Sequence, residues 1–298
     1  MNHNDAFSRC HPVVNLLYFA LVLLGAMVLQ HPVCQVISLV GAVALFVMLG
    51  GEKPGGFRLW YALALFVLTA AANPAFSHEG RTILRYLPSG NPLTLESILY
   101  GLGAGLTLCT ALIWFSDYTR IMTSDKFVYL FGRIVPALSL VLSMTLRFVP
   151  RFSAQARRVA SAQAAVGNDM RSGSLLHRVK CALMVFSILV TWSLENAVDT
   201  ADSMRARGYG LPGRSAFSIF TLTRRDKTLL AVMGALGAIV IAGFCLGALS
   251  WRYYPSVKGA GFTPGSILCY LSFLILNLIP VILEQKEAAV CRRLQSQI

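Results

Sequence analysis

The stretch ENAVDTADSMRARGYGLPG, residues 195–213, reads as an amphipathic helix that stops at Ala206-Arg207-Gly208. Leu194, Val198, Ala201 and Met204 recur at helical spacing and form a narrow apolar stripe. Glu195, Asp199 and Asp202 fall on a different face, which is solvated and paired locally with Arg205, or meets a polar partner. Gly208 suits the left-handed residue that follows a helix end, and Gly210 with Pro212-Gly213 bars continuation. Arg205 and Arg207 therefore sit in the last turn, at the negative end of the helix dipole. Directly upstream, residues 181–194, CALMVFSILVTWSL, are almost wholly apolar. One helix runs from an apolar setting into a polar one and carries an arginine at its tip, as a lever leaving a membrane domain would.

Composition agrees. Apolar residues make up 56% of the 298 and charged residues only 13%, where a soluble domain carries about 25% charged residues. The net charge of +13 is not interleaved with aromatics on a polar chain, which argues against nucleic acid. The basic residues instead separate long apolar runs, a pattern that orients a chain in a lipid bilayer. Seven scattered cysteines, mostly inside apolar runs and without Cys-x-x-Cys, read as small reduced hydrophobes and not as a metal or disulfide framework. One Arg before the first apolar run and no small-x-small pattern favour a retained span over a cleaved leader.

In chain order, apolar runs cover residues 13–29, 33–49, 57–72 and 95–115, the third helped to the interface by Arg58. Residues 73–94 form a loop. Gly101 and Gly105, four apart in an apolar helix, read as a small-residue packing face and not as a phosphate loop, since no strand precedes them and no Lys follows. Gly243 and Gly247 repeat that pattern. Residues 228–249 and 264–283 make a late hairpin of two spans. Residues 127–145 are apolar but contain Arg133 and Pro136. If they do not cross, both termini are cytoplasmic and only Arg81, Arg85, Arg252 and Lys258, 4 of the 26 basic residues, lie outside. If they cross, Arg9, Lys53, Arg58, Arg120 and Lys126 move outside. The first distribution is better, so 127–145 is an amphipathic interfacial helix.

The expected fold is all-α: a polytopic membrane protein of about six transmembrane helices, with a cytoplasmic domain of two long helices and the interfacial one. Its regions are 1–126 (four spans), 127–227 (interfacial and cytoplasmic helices) and 228–298 (two spans and a cytoplasmic tail). The middle part, 147–227, carries 13 of the 26 basic residues and 5 of the 13 acidic ones. Its first helix starts near Pro150 and runs to Gly167, with Phe152, Ala156, Val159 and Val166 on one face and Arg151, Gln155 and Arg158 on another. Ser174 then caps the second helix, the lever.

No catalytic constellation is visible. The five histidines are isolated, and H-E-x-x-H, G-x-S-x-G and G-x-x-x-x-G-K-[ST] are all missing, so the chain offers no P-loop and calls for no cofactor or metal. Few ionisable groups fall in the spans, and Asp117, at a span end, reads as interfacial. Such a chain works through partners.

Three segments carry a family resemblance: Asn73-Pro74-x-Phe76-x-His78, residues 122–152 (MTSDKFVYLFGRIVPALSLVLSMTLRFVPRF) and residues 203–214 (SMRARGYGLPGR). They resemble the transmembrane T component of energy-coupling factor (ECF) transporters, including its cobalt-permease branch. The similarity covers most of the chain, and the last two segments are the specific ones. The resemblance implies a bacterial plasma-membrane subunit with both termini cytoplasmic. It implies two coupling helices, which link a small membrane-embedded substrate-binding S component to two ABC-type ATPase subunits. Import of a vitamin or transition-metal ion would follow, with ATP hydrolysed by the partners. By the same resemblance Ala206, Arg207 and Gly208, with Arg205, form one ATPase contact, and Ala165, Val166 and Gly167 the other. Val166 stands where the family pattern has Arg. Arg157, Arg158 or Arg171 compensates, or one ATPase is held by apolar contact.

A guanidinium offers a fixed fork of donors suited to a carboxylate- or carbonyl-lined groove. The plain alternative is that Arg207 only satisfies its own helix end. Two other classes are an ordinary ABC importer permease, which needs a polar line through its spans, and a polytopic membrane enzyme, which needs clustered His, Asp or Glu.

Overall fold

The computed structural model describes residues 7–49, 55–77, 79–86, 92–169, 172–211 and 220–295. The chain divides into two compact units, residues 1–123 with 220–298, and residues 124–219. Helices α1 (Pro12–Val28), α2 (Pro32–Met48), α3 (Gly55–Phe76), α4 (Leu95–Ile121), α8 (Arg224–Cys245) and α9 (Pro264–Gln295) belong to the first unit. Helices α5 (Ser124–Ile134), α6 (Pro136–Ala165) and α7 (Leu175–Ala206) form the second. The all-α expectation holds, with two short antiparallel hairpins added: β1 (Ile83–Tyr86) with β2 (Pro92–Thr94), and β3 (Trp251–Arg252) with β4 (Lys258–Gly259). By length and composition α4, α7, α8 and α9 are long and apolar enough to cross a membrane; α1, α2 and residues 60–76 of α3 are shorter apolar helices. The lever α7, expected to leave the membrane domain, itself meets this criterion.

Two of the isolated histidines are helix starters. His11-Pro12-Val13 and His31-Pro32-Val33 open α1 and α2 in the same way: the ring Nδ1 accepts the Val13 or Val33 N–H at 3.3 Å. Proline at the first position loses no bond, because that N–H has no partner within the helix. The His31 Nε2 lies 3.1 Å from the Tyr270 hydroxyl, and its ring packs edge-on against Trp251 at 4.9 Å. A neutral imidazole with its proton on Nε2 satisfies both sides, and burial pushes its pKa below the usual 6.5.

The core of the first unit is aromatic. Tyr18, Phe19 and Trp114 are fully buried and meet edge-to-face with Phe7. Their polar atoms are paired: Trp114 Nε1 donates to Ser38 Oγ at 3.0 Å and the Tyr18 hydroxyl to the Asn277 carbonyl at 3.0 Å. At one end Arg9 and Arg225 both pair with Glu287, joining the segment before α1 to α8 and α9.

Helices α3 and α4 approach closely for a specific reason. Pro74 lies inside α3 and has no N–H for the Ala70 carbonyl, four residues back. A Cβ on Gly101 would sit 2.8 Å from that oxygen, and one on Gly105 would sit 3.0 Å from the Phe66 carbonyl. The small-residue reading of this pair is borne out; that of Gly243 and Gly247 is only half right. Gly243 packs against Cys269, but Gly247 lies beyond α8 at φ +75° with nothing near it, so it ends the helix. The expected loop 73–94 is shorter than read, since α3 runs on to Phe76 and a hairpin follows. Helix α8 starts at Arg224, four residues before the expected 228, because Thr223 and Asp226 form a capping box. Asp117, near the C-terminal end of α4, is buried within the protein. It has no exposed surface and neither oxygen has a hydrogen-bond partner among the described residues. Arg120, one turn on, reaches the Phe46 ring and the Leu49 carbonyl. The side chain of Arg58 lies outside the described residues.

The expected helix boundary in 127–167 moves. The break falls at Val135, which is extended (φ −134°, ψ 90°) as the residue before a proline prefers, and Pro136 opens α6. Pro150 lies inside α6 and does not start it, so residues 127–145 are divided between α5 and α6 and do not form one helix. The bond it omits, to the Leu146 carbonyl, falls where the helix is exposed. Ser139 Oγ donates to the Val128 carbonyl at 3.1 Å and ties α5 to α6.

Gly101→Ala is expected to lower the unfolding temperature in detergent, by the effect of roughly 1–3 kcal/mol of overpacking. Gly234→Ala, on α8 with open space around it, raises the temperature through helix propensity; equal shifts would contradict the close approach. The His31 pKa is depressed on folding, so its stabilisation is present above about pH 6.5 and is lost as pH falls below that. A melting series from pH 8 to 5 should fall more steeply for the native chain than for His31→Asn, which caps without titrating.

Candidate functional site: two helix tips

Helices α6 and α7 end in the same geometry. Each closes on Ala-x-Gly, with Ala165 or Ala206 as the last helical residue. The middle residues have nearly identical backbones: Val166 at φ −91°, ψ 6° and Arg207 at φ −85°, ψ 10°. Gly167 (φ +91°) and Gly208 (φ +76°) then turn left-handed. The Gly167 N–H donates to Ala164 O at 3.1 Å and the Asn168 N–H to Gln163 O at 2.9 Å. At the other tip the Gly208 N–H donates to Arg205 O at 2.9 Å and the Tyr209 N–H to Met204 O at 3.0 Å. Both are Schellman ends in the same register.

That register decides what the middle residue can do. The Ser203, Met204 and Arg205 carbonyls accept backbone N–H groups, so the Arg207 side chain is not needed to hold the turn that ends its helix. It is exposed, with no side-chain hydrogen bond or ion pair among the described residues. Self-capping by Arg207 is thereby set aside. Ala165, Gly167, Arg205 and Ala206 are exposed or at the surface too, and Val166 is 78% exposed. Of the residues weighed as substitutes at the α6 tip, Arg157 and Arg158 lie nine and eight residues before Val166, roughly 12 Å back along the axis. Arg157 also leans on Ser153 at 3.4 Å. Arg171 lies outside the described residues.

The two helices meet at aromatic side chains. Trp192 stacks on Phe148 with centroids 5.8 Å apart and touches Phe152 at 6.4 Å. The buried face of α7 is Cys181, Val185 and Leu189, in line with Trp192. The stripe read from the sequence is a different face: Leu194 and Val198 are 65% and 61% exposed, Ala201 is exposed, and Met204 is partly covered. Helical spacing marked an apolar face correctly but not the one that packs inside this unit, because α7 is apolar on nearly every side through residue 194. On α6, Phe152, Ala156 and Val159 are partly buried as read, while Val166 is not. Glu195, Asp199, Asp202 and Arg205 are all exposed, and no ion pair joins them among the described residues. That face is solvated.

Elsewhere, a cavity of about 240 Å³ in the first unit is lined by Gln35, Tyr100, Gly103, Thr107 and Tyr253 among others, without a charged side chain. Tyr253 donates to the Gln30 carbonyl at 3.3 Å and Gln35 Nε2 to Thr107 Oγ1 at 2.9 Å. Among the described residues no group of His, Cys, Asp and Glu is placed to hold a metal ion. His78 lies outside them.

A family model described as cobalt transport protein (CbiQ) matches residues 4–219, most of the chain and all of both tips. The chain belongs to the CbiQ family. Among curated relatives, this CbiQ-family chain is 35% identical over 106 residues to a protein of Bacillus selenitireducens, covering 35% of the chain and 40% of the relative. It is 27% identical over 217 residues to one of Listeria monocytogenes, covering 68% and 77%. A third, from Bacillus subtilis, is 31% identical over 107 residues, covering 36% and 40%. All three carry the name energy-coupling factor transporter transmembrane protein EcfT. The chain spans about two-fifths of the length of the two Bacillus relatives. Membership in this transport family, with its apolar helices, makes the chain a membrane protein.

Gly208→Ala forces a side chain into left-handed backbone, at a cost of about 1 kcal/mol. Hydrogen exchange at the 208 and 209 amides should speed up several-fold while helical circular dichroism stays unchanged. Unchanged exchange would contradict the Schellman end.

Proposed function

We propose that this chain is the transmembrane coupling subunit of an energy-coupling factor importer. It transmits the ATP-driven motion of two ABC-type ATPase subunits to a small membrane-embedded S component that binds a vitamin or a transition-metal ion. Residues 1–126 and 228–298 make the membrane part and 127–227 the coupling part, with both termini and both tips on the cytoplasmic side of a bacterial plasma membrane. ATP hydrolysis belongs to the partners.

The observation that carries this reading is the exposed, unpaired Arg207 at a rigid helix end. Guanidinium geometry suits a groove lined by carboxylates or carbonyls. A helix whose end is already satisfied transmits displacement without fraying. Family membership and the relatives' names support the same reading.

Arg207→Glu is expected to remain in the membrane fraction while co-purifying ATPase activity and uptake both fall at least tenfold, roughly the loss of one charge-assisted contact. Arg207→Lys should lose less. Uptake and ATPase recovery at native levels in Arg207→Glu would overturn the proposal. Recovery of ATPases without any small separate membrane subunit would favour an ordinary permease.

A further inference from the structure

Three soft metal-ligating side chains share one face of α7 near its start. His177, Cys181 and Met184 fall at i, i+4 and i+7, so they follow one another along that face. The Cys181 Sγ lies 3.5 Å from the His177 Nε2. The thiol is buried, whereas the imidazole is exposed and offers an approach from outside the helix pair. Gly173 lets the turn before α7 close against that ring, since a Cβ there would sit 3.0 Å from His177 Cδ2. The Asn168 amide donates to the Met184 Sδ at 3.6 Å, and the same nitrogen donates to Gln163 Oε1 at 3.0 Å. The cluster therefore lies where the turn after α6 meets α7.

His, Cys, Asp and Glu alone supply only two ligands here; the thioether is the third. A metal bonded at roughly 2.3 Å to sulfur and 2.0 Å to nitrogen, with a tetrahedral angle between them, holds those two atoms about 3.5 Å apart. The spacing of Cys181 and His177 already meets that requirement. Thiolate and thioether select soft Cu(I), and imidazole suits copper as well. Charge points the same way. Cu(I) on one thiolate is neutral, the thiol proton passing to solvent, and a neutral centre tolerates burial. A divalent ion would keep a net positive charge beside Arg178 and Lys180, and α7 offers no carboxylate from Leu175 to Met184 to offset it.

We propose that His177, Cys181 and Met184 bind one Cu(I) ion through Nε2, Sγ and Sδ. The site does not depend on the coupling-subunit reading above.

The test titrates the full chain in detergent with Cu(I), anaerobically and against the chelator bicinchoninate, in a parent carrying Cys245→Ser and Cys291→Ser to remove exposed thiols. Cys181→Ser is expected to lose one equivalent of bound Cu(I). His177→Asn and the volume-conserving Met184→Leu should each weaken that equivalent roughly tenfold or more, with helical circular dichroism unchanged. X-ray absorption at the copper edge should show one nitrogen and two sulfur neighbours for the equivalent that Cys181→Ser loses. Equal Cu(I) uptake by Cys181→Ser and its parent would overturn the proposal, as would native affinity in Met184→Leu. Should Cys181→Ser fail to fold, the Met184→Leu titration decides. Zn(II) bound at this site as tightly as Cu(I) would contradict the assignment to a soft monovalent ion.

Discussion

Two glycines in left-handed backbone hold the arrangement of the tips. Gly167 and Gly208 let the chain fold back on the last turn, so that backbone N–H groups close the terminal carbonyls of α6 and α7. Because the backbone completes each end, the residue just before the glycine has no structural duty there and its side chain is released outward. A valine and an arginine can then occupy the same geometric position without disturbing it. The crossing of Phe148, Phe152 and Trp192 gives both arms a common fixed point.

The first unit shows the opposite design. Its helices are pressed together, and each concession that allows this is local. Pro74 frees a carbonyl that Gly101 accommodates, the two His-Pro pairs start their helices without outside help, and Ser38 and the Asn277 carbonyl satisfy the buried indole and phenol. Asp117 is the exception, fully buried beside an arginine that is engaged elsewhere.

Much of this was legible in the residues. The helix end at Ala206-Arg207-Gly208, the Ser174 cap and the close approach at Gly101 and Gly105 each follow from a local rule that few other contacts can override. What escaped had competing signals. Pro136 and Pro150 can both open a helix, and only tertiary context decides that the chain breaks at the first. Helix α7 is so apolar that spacing could not select its packed face. The repeated His-Pro-Val escapes a local rule because histidine is not among the residues whose type marks a helix start.

The central claim is that Arg207 stands on the cytoplasmic side in contact with a motor. Arg207→Cys, in a chain whose exposed Cys245 and Cys291 are replaced by Ser, allows a direct reading with a membrane-impermeant maleimide. The account predicts labelling in inside-out vesicles only, and protection when the ATPases are bound. Labelling from the outer face, or labelling indifferent to the ATPases, would contradict it.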